Sequence, residues 1–311
     1  MKPTHAVKPS GRQYVVRHGR QEAVAVEVGG GLRTYTVDGR DVLDGYAEDA
    51  ICDGARCQTL VPWPNRVQDG RWSWRGVDQQ LALTEPEQHN AIHGFVRWLS
   101  WEAVDQQESS VTLRCRSMPQ PGYPWRLEVS NTWSLGDGGL TVATTVRNES
   151  ETAAPVAVGF HPYVTVGTPT IDDALLTVPA STRILTGAQQ IPSGTEPVAG
   201  TAYDFRSSRR IGDLAIDYAY SDLLRDADGL ARLRLEAPGD GTVVTVWVDA
   251  AYPYLEVFTG DGLPDPGRRR QGLGVEPMSA PPNAMATGQS LVTVEADGVW
   301  RGSWGIQPSG L

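Results

Sequence analysis

Arg126-Leu127-Glu128-Val129-Ser130-Asn131-Thr132-Trp133-Ser134-Leu135 runs into Gly136-Asp137-Gly138-Gly139 and then into Leu140-Thr141-Val142-Ala143-Thr144-Thr145-Val146. In the first run the apolar side chains, Leu127, Val129, Trp133 and Leu135, all fall on the same alternate positions. That is the period of a strand with one buried face, not the 3.6-residue period of a helix. The Asp-Gly pair tolerates the positive φ angles of a tight hairpin, so the stretch predicts two antiparallel strands joined by a short turn.

The same pattern extends in both directions. Residues 23–28, 32–37, 111–116, 230–235, 242–248 and 291–294 also read as strands rich in β-branched residues. Nine Asp-Gly pairs punctuate the chain, among them Asp38-Gly39, Asp69-Gly70, Asp228-Gly229, Asp240-Gly241 and Asp297-Gly298. With 34 glycines and 22 prolines besides, the expected fold is all-β, a large antiparallel β-sandwich. No stretch keeps a helical period over three turns; residues 211–224 come nearest and predict one short helix at most. No repeat or break in composition marks a second domain. The expected organisation is a loose N-terminal arm over residues 1–12 and a single β-sandwich over residues 13–311.

With 311 residues, 40% apolar and 21% charged, the chain can bury a sizeable core. Its net charge of -10 argues against a nucleic-acid partner, which needs a basic surface. No window approaches the roughly 20 apolar residues that cross a bilayer. The polar start Met1-Lys2-Pro3-Thr4-His5 has no apolar run behind it, so a cytoplasmic location is expected. Cys52, Cys57 and Cys115 form no zinc-type pattern and are expected as free thiols.

Several short stretches carry groups suited to chemistry. Gly272-Leu273-Gly274-Val275-Glu276-Pro277-Met278 sets one carboxylate among apolar neighbours, where desolvation raises its pKa toward the range of a useful base. Pro62-Trp63-Pro64-Asn65-Arg66 offers an Asn and an Arg on a stiff loop, suited to holding hydroxyl oxygens. His89-Asn90-Ala91-Ile92-His93-Gly94 lacks the helical pattern and nearby Glu of a zinc protease, so no metal is expected. Val158-Gly159-Phe160-His161-Pro162-Tyr163 ends a β-like run in a His fixed by proline, and Ile216-Asp217-Tyr218 sets a carboxylate among rings that can stack on a sugar. Each taken alone has an ordinary structural explanation: an ion-paired Glu, a surface Arg, a strand-end His.

In order and together, Pro64-Asn65-Arg66, Asn90-Ala91-Ile92-His93-Gly94, Gly159-Phe160-His161-Pro162-Tyr163, Ile216-Asp217-Tyr218 and Gly274-Val275-Glu276-Pro277 resemble the aldose 1-epimerase (galactose mutarotase) family, from about residue 20 to about residue 300. The resemblance implies a single β-supersandwich with an open sugar-binding cleft. It implies that Glu276 is the general base and His161 the general acid, with Arg66, His93, Asp217 and Asn65 holding the sugar. It implies an aldose as partner, no cofactor or metal, and a monomer or homodimer. The chemistry asks for Glu276 ionised and His161 protonated, hence a bell-shaped pH profile.

Three departures accompany it: Phe95 where a second Gly is common, Phe160 where Asn commonly precedes the His, and Glu256 where Gln is usual. The Phe160 departure implies one missing hydrogen bond to substrate. Three other readings compete. Arg97 with Arg71 and Arg75 would suit a hexose 6-phosphate epimerase; Glu256 or Asp217 with Glu276 would suit a retaining glycosidase; and a sugar-binding protein would keep the fold without the reaction. The tract Asp265-Pro266-Gly267-Arg268-Arg269-Arg270 reads as a solvated loop.

Overall fold

In the computed structural model, residues 8–239 and 241–311 are described. The hairpin that opens the sequence reading is present: Leu127–Gly136 pairs with Gly139–Asn148, and Gly136 faces Gly139 across the turn. Along Leu127–Gly136 buried and half-buried residues alternate without a slip, as the period-two pattern predicts.

Two large antiparallel sheets build the molecule. One has nine strands in the order Glu102–Gln106, Ser110–Ser117, Leu127–Gly136, Gly139–Asn148, Val299–Ser309, Val243–Val248, Ala231–Glu236, Leu175–Thr177, Arg209–Arg210. The other has eight: Pro192–Pro197, Ala180–Thr186, Asp217–Leu223, Tyr254–Phe258, Leu273–Met278, Gly159–Phe160 and Thr59–Leu60 in order, with Tyr163–Val164 also pairing with Leu273–Met278. A four-stranded sheet, Gln13–His18 to Arg40–Asp41, flanks them.

The large sheets meet through aromatic side chains. Trp133 and Trp304 from the nine-stranded sheet take Phe160 of the other sheet at centroid distances of 6.0 and 5.1 Å. All three are fully buried. One polar bridge crosses the same interface: the Asn131 amide donates to Thr59 Oγ1 at 2.6 Å and its carbonyl accepts from Thr144 Oγ1 at 2.9 Å. These bonds offset the cost of burying the amide. Among the described residues no helix is long and apolar enough to cross a membrane.

Three expectations change. Residues 211–224 hold no helix: Asp217–Leu223 is a strand between Ala180–Thr186 and Tyr254–Phe258, because edge-to-edge pairing overrides a weak helical period. The short helix is instead Ala284–Thr287, entered from Asn283 at φ 64°. Of the expected N-terminal arm, residues 1–7 lie outside the described residues. Residues 8–12 are tied down, with Ser10 buried, the Val28 N–H donating to Ser10 O, the Arg12 N–H donating to Glu27 Oε2, and Lys8 paired with Glu48. Finally, the Asp-Gly pairs serve several purposes. Asp38-Gly39 and Asp137-Gly138 close hairpins, whereas Asp44-Gly45, Asp53-Gly54 and Asp261-Gly262 lie outside the strands, in the connections between them.

Because Phe160 is the one ring of the site-bearing sheet wedged between Trp133 and Trp304, Phe160→Ala should cost about 3–5 kcal/mol in denaturant unfolding. A loss below about 1 kcal/mol would mean that the sheets do not depend on this contact.

Candidate functional site

Leu273–Met278 is buried at every position, since other strands cover both of its edges. Leu273 and Val275 join the main core, so strand alternation turns Glu276 to the opposite face. Cross-strand register then places the neighbours. Glu276 stands directly opposite Glu256, and Asp217 opposite Phe258, two residues beyond Glu256 on the same face. Three carboxyl groups from three strands therefore rise together.

The Gly159–Phe160 strand brings His161 beside them. Phe160 points into the core and the next residue points out, so His161 Nε2 lies 3.1 Å from Glu276 Oε1. The His161 ring stacks on Tyr163 at 5.0 Å and meets the His93 ring edge-on at 5.4 Å. His93 sits at φ 63° beyond the strand Asn90–Ile92. Its Nδ1 accepts from the Asn65 N–H at 3.1 Å and its own N–H donates to Asn65 O at 3.0 Å. With Nδ1 accepting, the neutral ring carries its proton on Nε2. Gly94 permits this turn: at φ 63° an added Cβ would fall 2.2 Å from Val61 O.

Arg66 makes a two-fold contact with Glu85, Nε to Oε2 at 2.8 Å and Nη2 to Oε1 at 2.9 Å. Asn65 Nδ2 reaches Glu256 Oε2 at 3.5 Å, and the Gln190 side-chain amide donates to Asp217 Oδ2 at 2.7 Å. A cleft of about 750 Å³ opens over Arg66, Glu85, Gln190, Asp217 and Phe258. Asn65, Arg66, Gln190, Asp217 and Glu256 enclose a much smaller inner space of about 10 Å³. His161 and Glu276 lie beneath, with side chains 8% and 3% exposed. All six residues singled out in the sequence (Asn65, Arg66, His93, His161, Asp217, Glu276) thus converge on one region.

Burial governs their ionisation. Desolvation lifts the Glu276 carboxyl well above the usual carboxylate range, Asp217 adds to this, and Arg66 opposes it. Glu256 is raised well above its range in the same way, by burial first and then by Asp217 and Glu276. Burial lowers His161 to about 3, with Arg97, Arg56 and Arg66 pushing in the same direction, and drives His93 well below its ordinary value. Burial opposes the resting pair of ionised Glu276 and protonated His161 and pushes both groups toward their neutral forms, while the 3.1 Å contact favours the charged pair. The neutral and ion-paired arrangements hold the same number of protons and differ only in which atom carries it. Such a pair can give a proton at one atom while taking one at the other. Glu276 Oε2 is buried without a hydrogen-bond partner among the described residues.

Two further readings are corrected. Phe160 removes no group from the site, because alternation sends the residue before His161 into the core. The tract Pro266–Arg268 with Arg269 and Arg270 is not simply solvated: Arg268 binds Asp44 at 2.7 Å, and Arg270 binds Asp172 at 2.6 Å and Asp261 at 2.8 Å. Of the three arginines considered for a phosphate, Arg97 is half-buried and its charge reaches both His93 and His161. Arg71 and Arg75 are exposed at the ends of the strand Arg71–Trp74. The cysteines are free and buried, as expected. Among the described residues no group of three or more His, Cys, Asp or Glu side chains is arranged to hold a metal ion. Sequence reading missed Glu85 and Gln190. Neither has a local signal for its role, since Glu85 meets Arg66, 19 residues away, and Gln190 meets Asp217, 27 residues away.

The fold and site together define a class, and comparison identifies it. The aldose 1-epimerase family model matches residues 12–307, and the chain belongs to that family. It is 30% identical over 288 residues to the uncharacterized protein YihR of Escherichia coli K12, covering 92% of this chain and 90% of that one. It is 26% identical over 257 residues to the aldose 1-epimerase of the same organism, covering 74% and 72%. The fold matches the galactose mutarotase/aldose epimerase homologue of Caenorhabditis elegans with a TM-score of 0.84 at 17% identity, covering 96% and 98%.

Neutral imidazoles have a measurable consequence. Between about pH 6.5 and about 3 the unfolded chain binds a proton at His161 that the native state refuses, so stability falls as pH drops through that window. In an NMR titration the ring signals of His93 and His161 should not move between about pH 8 and about pH 5. A midpoint near the ordinary value of about 6.5 for either ring would contradict its burial.

Proposed function

We propose that the protein is an aldose 1-epimerase that interconverts the α and β anomers of a free hexose. The observation that carries this reading is the 3.1 Å contact between His161 Nε2 and Glu276 Oε1, beside a group of hydroxyl-binding side chains. Glu276 and His161 act as the base and acid. Arg66, His93, Asp217 and Asn65 bind and orient the sugar.

The proton bookkeeping closes with the single proton of the pair. When it resides on His161, the Glu276 carboxylate takes the proton of the anomeric O1–H while His161 gives its own to the ring oxygen O5. The C1–O5 bond breaks, C1=O forms, and Glu276 holds the pair's proton. After rotation about C1–C2, each transfer reverses on the other face of C1. Arg66 is kept in place by Glu85, so it meets a hydroxyl from a fixed direction.

One observation favours a second reading, an anionic sugar such as a hexose 6-phosphate. Arg97 has no carboxylate partner among the described residues, although its charge reaches both imidazoles. Turnover of α-D-glucose against α-D-glucose 6-phosphate separates the two.

Polarimetry of freshly dissolved α-D-glucose and α-D-galactose should show mutarotation well above the uncatalysed rate. Glu276→Gln and His161→Asn should each lose about 10²–10⁴-fold in kcat while the sugar still binds. Cleavage of aryl glycosides with mutarotation at the background rate would replace this function with glycoside hydrolysis.

The one-proton state also fixes the pH profile. The rate should fall on the acid side, where the pair gains a second proton, and on the alkaline side, where it loses its only one. A rate that climbs steadily from about pH 5 to about pH 9 would rule out the shared-proton mechanism.

A further inference from the structure

Glu256 has no part in the chemistry above, yet its carboxyl is as deeply buried as that of Glu276, each residue being 3% exposed. The groups that face it come from three directions. Leu273–Met278 presents Glu276 directly opposite. Asp217–Leu223 presents Asp217, within hydrogen-bonding reach of the Glu256 carboxyl, whereas Tyr220 turns to the core on the other face. The turn at Asn65-Arg66 supplies an amide at 3.5 Å and one guanidinium, which Glu85 already holds by two bonds.

Three carboxyls thus share one cation. The imidazoles do not make up the deficit, because His161 is engaged with Glu276 and His93 Nδ1 with the Asn65 N–H. An amide at 3.5 Å is too distant to hold an anion. With the proton of Glu276 committed to the pair it forms with His161, Glu256 and Asp217 cannot both ionise this close and this dry, so a further proton stays between them. Burial raises the Asp217 carboxyl too, but Arg66 and the Gln190 amide at 2.7 Å oppose that rise, so Asp217 is the better placed of the two to hold the charge. Glu256 has no comparable stabilising contact.

We propose that Glu256 is carried as an uncharged acid whose proton is shared with Asp217, and that this one-proton pair, donor and acceptor side by side, positions a sugar hydroxyl above Glu276. The hydroxyl role rests on the epimerase reading; the protonation does not. The pair also limits the charge beside Glu276 to one negative unit, leaving Glu276 and His161 free to exchange their own proton. Glu256 is a positioning residue, because the reacting atoms are served by Glu276 and His161.

The substitution Glu256→Gln keeps shape and a permanent donor but has no proton to lose. If the native chain keeps a proton on Glu256 that the unfolded chain releases above about pH 4.5, wild-type stability carries a decline with rising pH that the variant lacks, while the contributions of Glu276 and the imidazoles are common to both. The melting temperature of E256Q should therefore gain on that of the wild type by about 2 °C or more between about pH 5 and about pH 9. In mutarotation assays the wild-type KM should rise about tenfold at alkaline pH as the donor is lost. The KM of E256Q should stay level, and that of E256A should be raised throughout.

A melting gap that does not change with pH, or KM values of wild type and E256Q that rise together, would overturn the proposal while leaving the epimerase intact. A chain with no mutarotase activity but a widening melting gap would refute the epimerase reading and keep the proton on Glu256. Should E256Q fail to fold, the infrared spectrum of E276Q decides. A carboxylic-acid C=O band at neutral pH supports the proposal, and its absence refutes it.

Discussion

The exclusion of water from a small group of ionisable side chains controls the chemistry of this molecule. Burial raises the carboxyls of Glu276 and Glu256 and depresses the imidazoles of His93 and His161. Exposed on a surface, the same residues would hold ordinary charges and would exchange protons mainly with solvent. Buried together, Glu276 and His161 stand 3.1 Å apart, close enough to pass one proton between them. That arrangement is costly to stability, and it persists because the sheet around it is over-determined by pairing on both edges of Leu273–Met278.

The scaffold supplies this dryness through alternation. Gly159–Phe160 spends one residue on the aromatic wedge between the sheets, and the next residue is thereby aimed at Glu276. Leu273–Met278 does the same with Val275 and Glu276. Core packing and site geometry are two faces of the same strands, so a register slip of one residue would lose both.

Around this centre the polar groups are ordered by fixed partners: Glu85 on Arg66, Asn65 on His93, Gln190 on Asp217. One of these contacts joins two residues in the left-handed region, Asn65 at φ 55° and His93 at φ 63°, where backbone strain is tolerated because the surrounding hydrogen bonds compensate. Gln190 lies between the cleft and the inner space, at φ 55° in a loop whose neighbour Gln189 takes hydrogen bonds from Asn90 and Gln68. An ordered polar rim therefore borders the cleft on the side of the inner space.

Period-two apolar patterns and Asp-Gly turns determined the strands and the all-β class, because side-chain alternation and positive-φ turns are local properties. The strands read from period two, such as Leu127–Gly136 and Gly139–Asn148, were legible to within two residues, whereas Val299–Ser309, the longest described strand, was not read. The site strands were not: Gly159–Phe160 and Thr59–Leu60 are two residues long, too short to show a period, and Asp217–Leu223 carried a misleading helical hint. Motif order alone marked Asn65, Arg66, His93, His161, Asp217 and Glu276. Only the tertiary structure decided that these side chains meet, that Glu85 and Gln190 hold two of them, that Phe160 belongs to the core, and that burial pushes Glu276 and His161 toward their neutral forms. Those outcomes depend on cross-strand register and desolvation, which arise between segments far apart in the chain and leave no trace in any one of them.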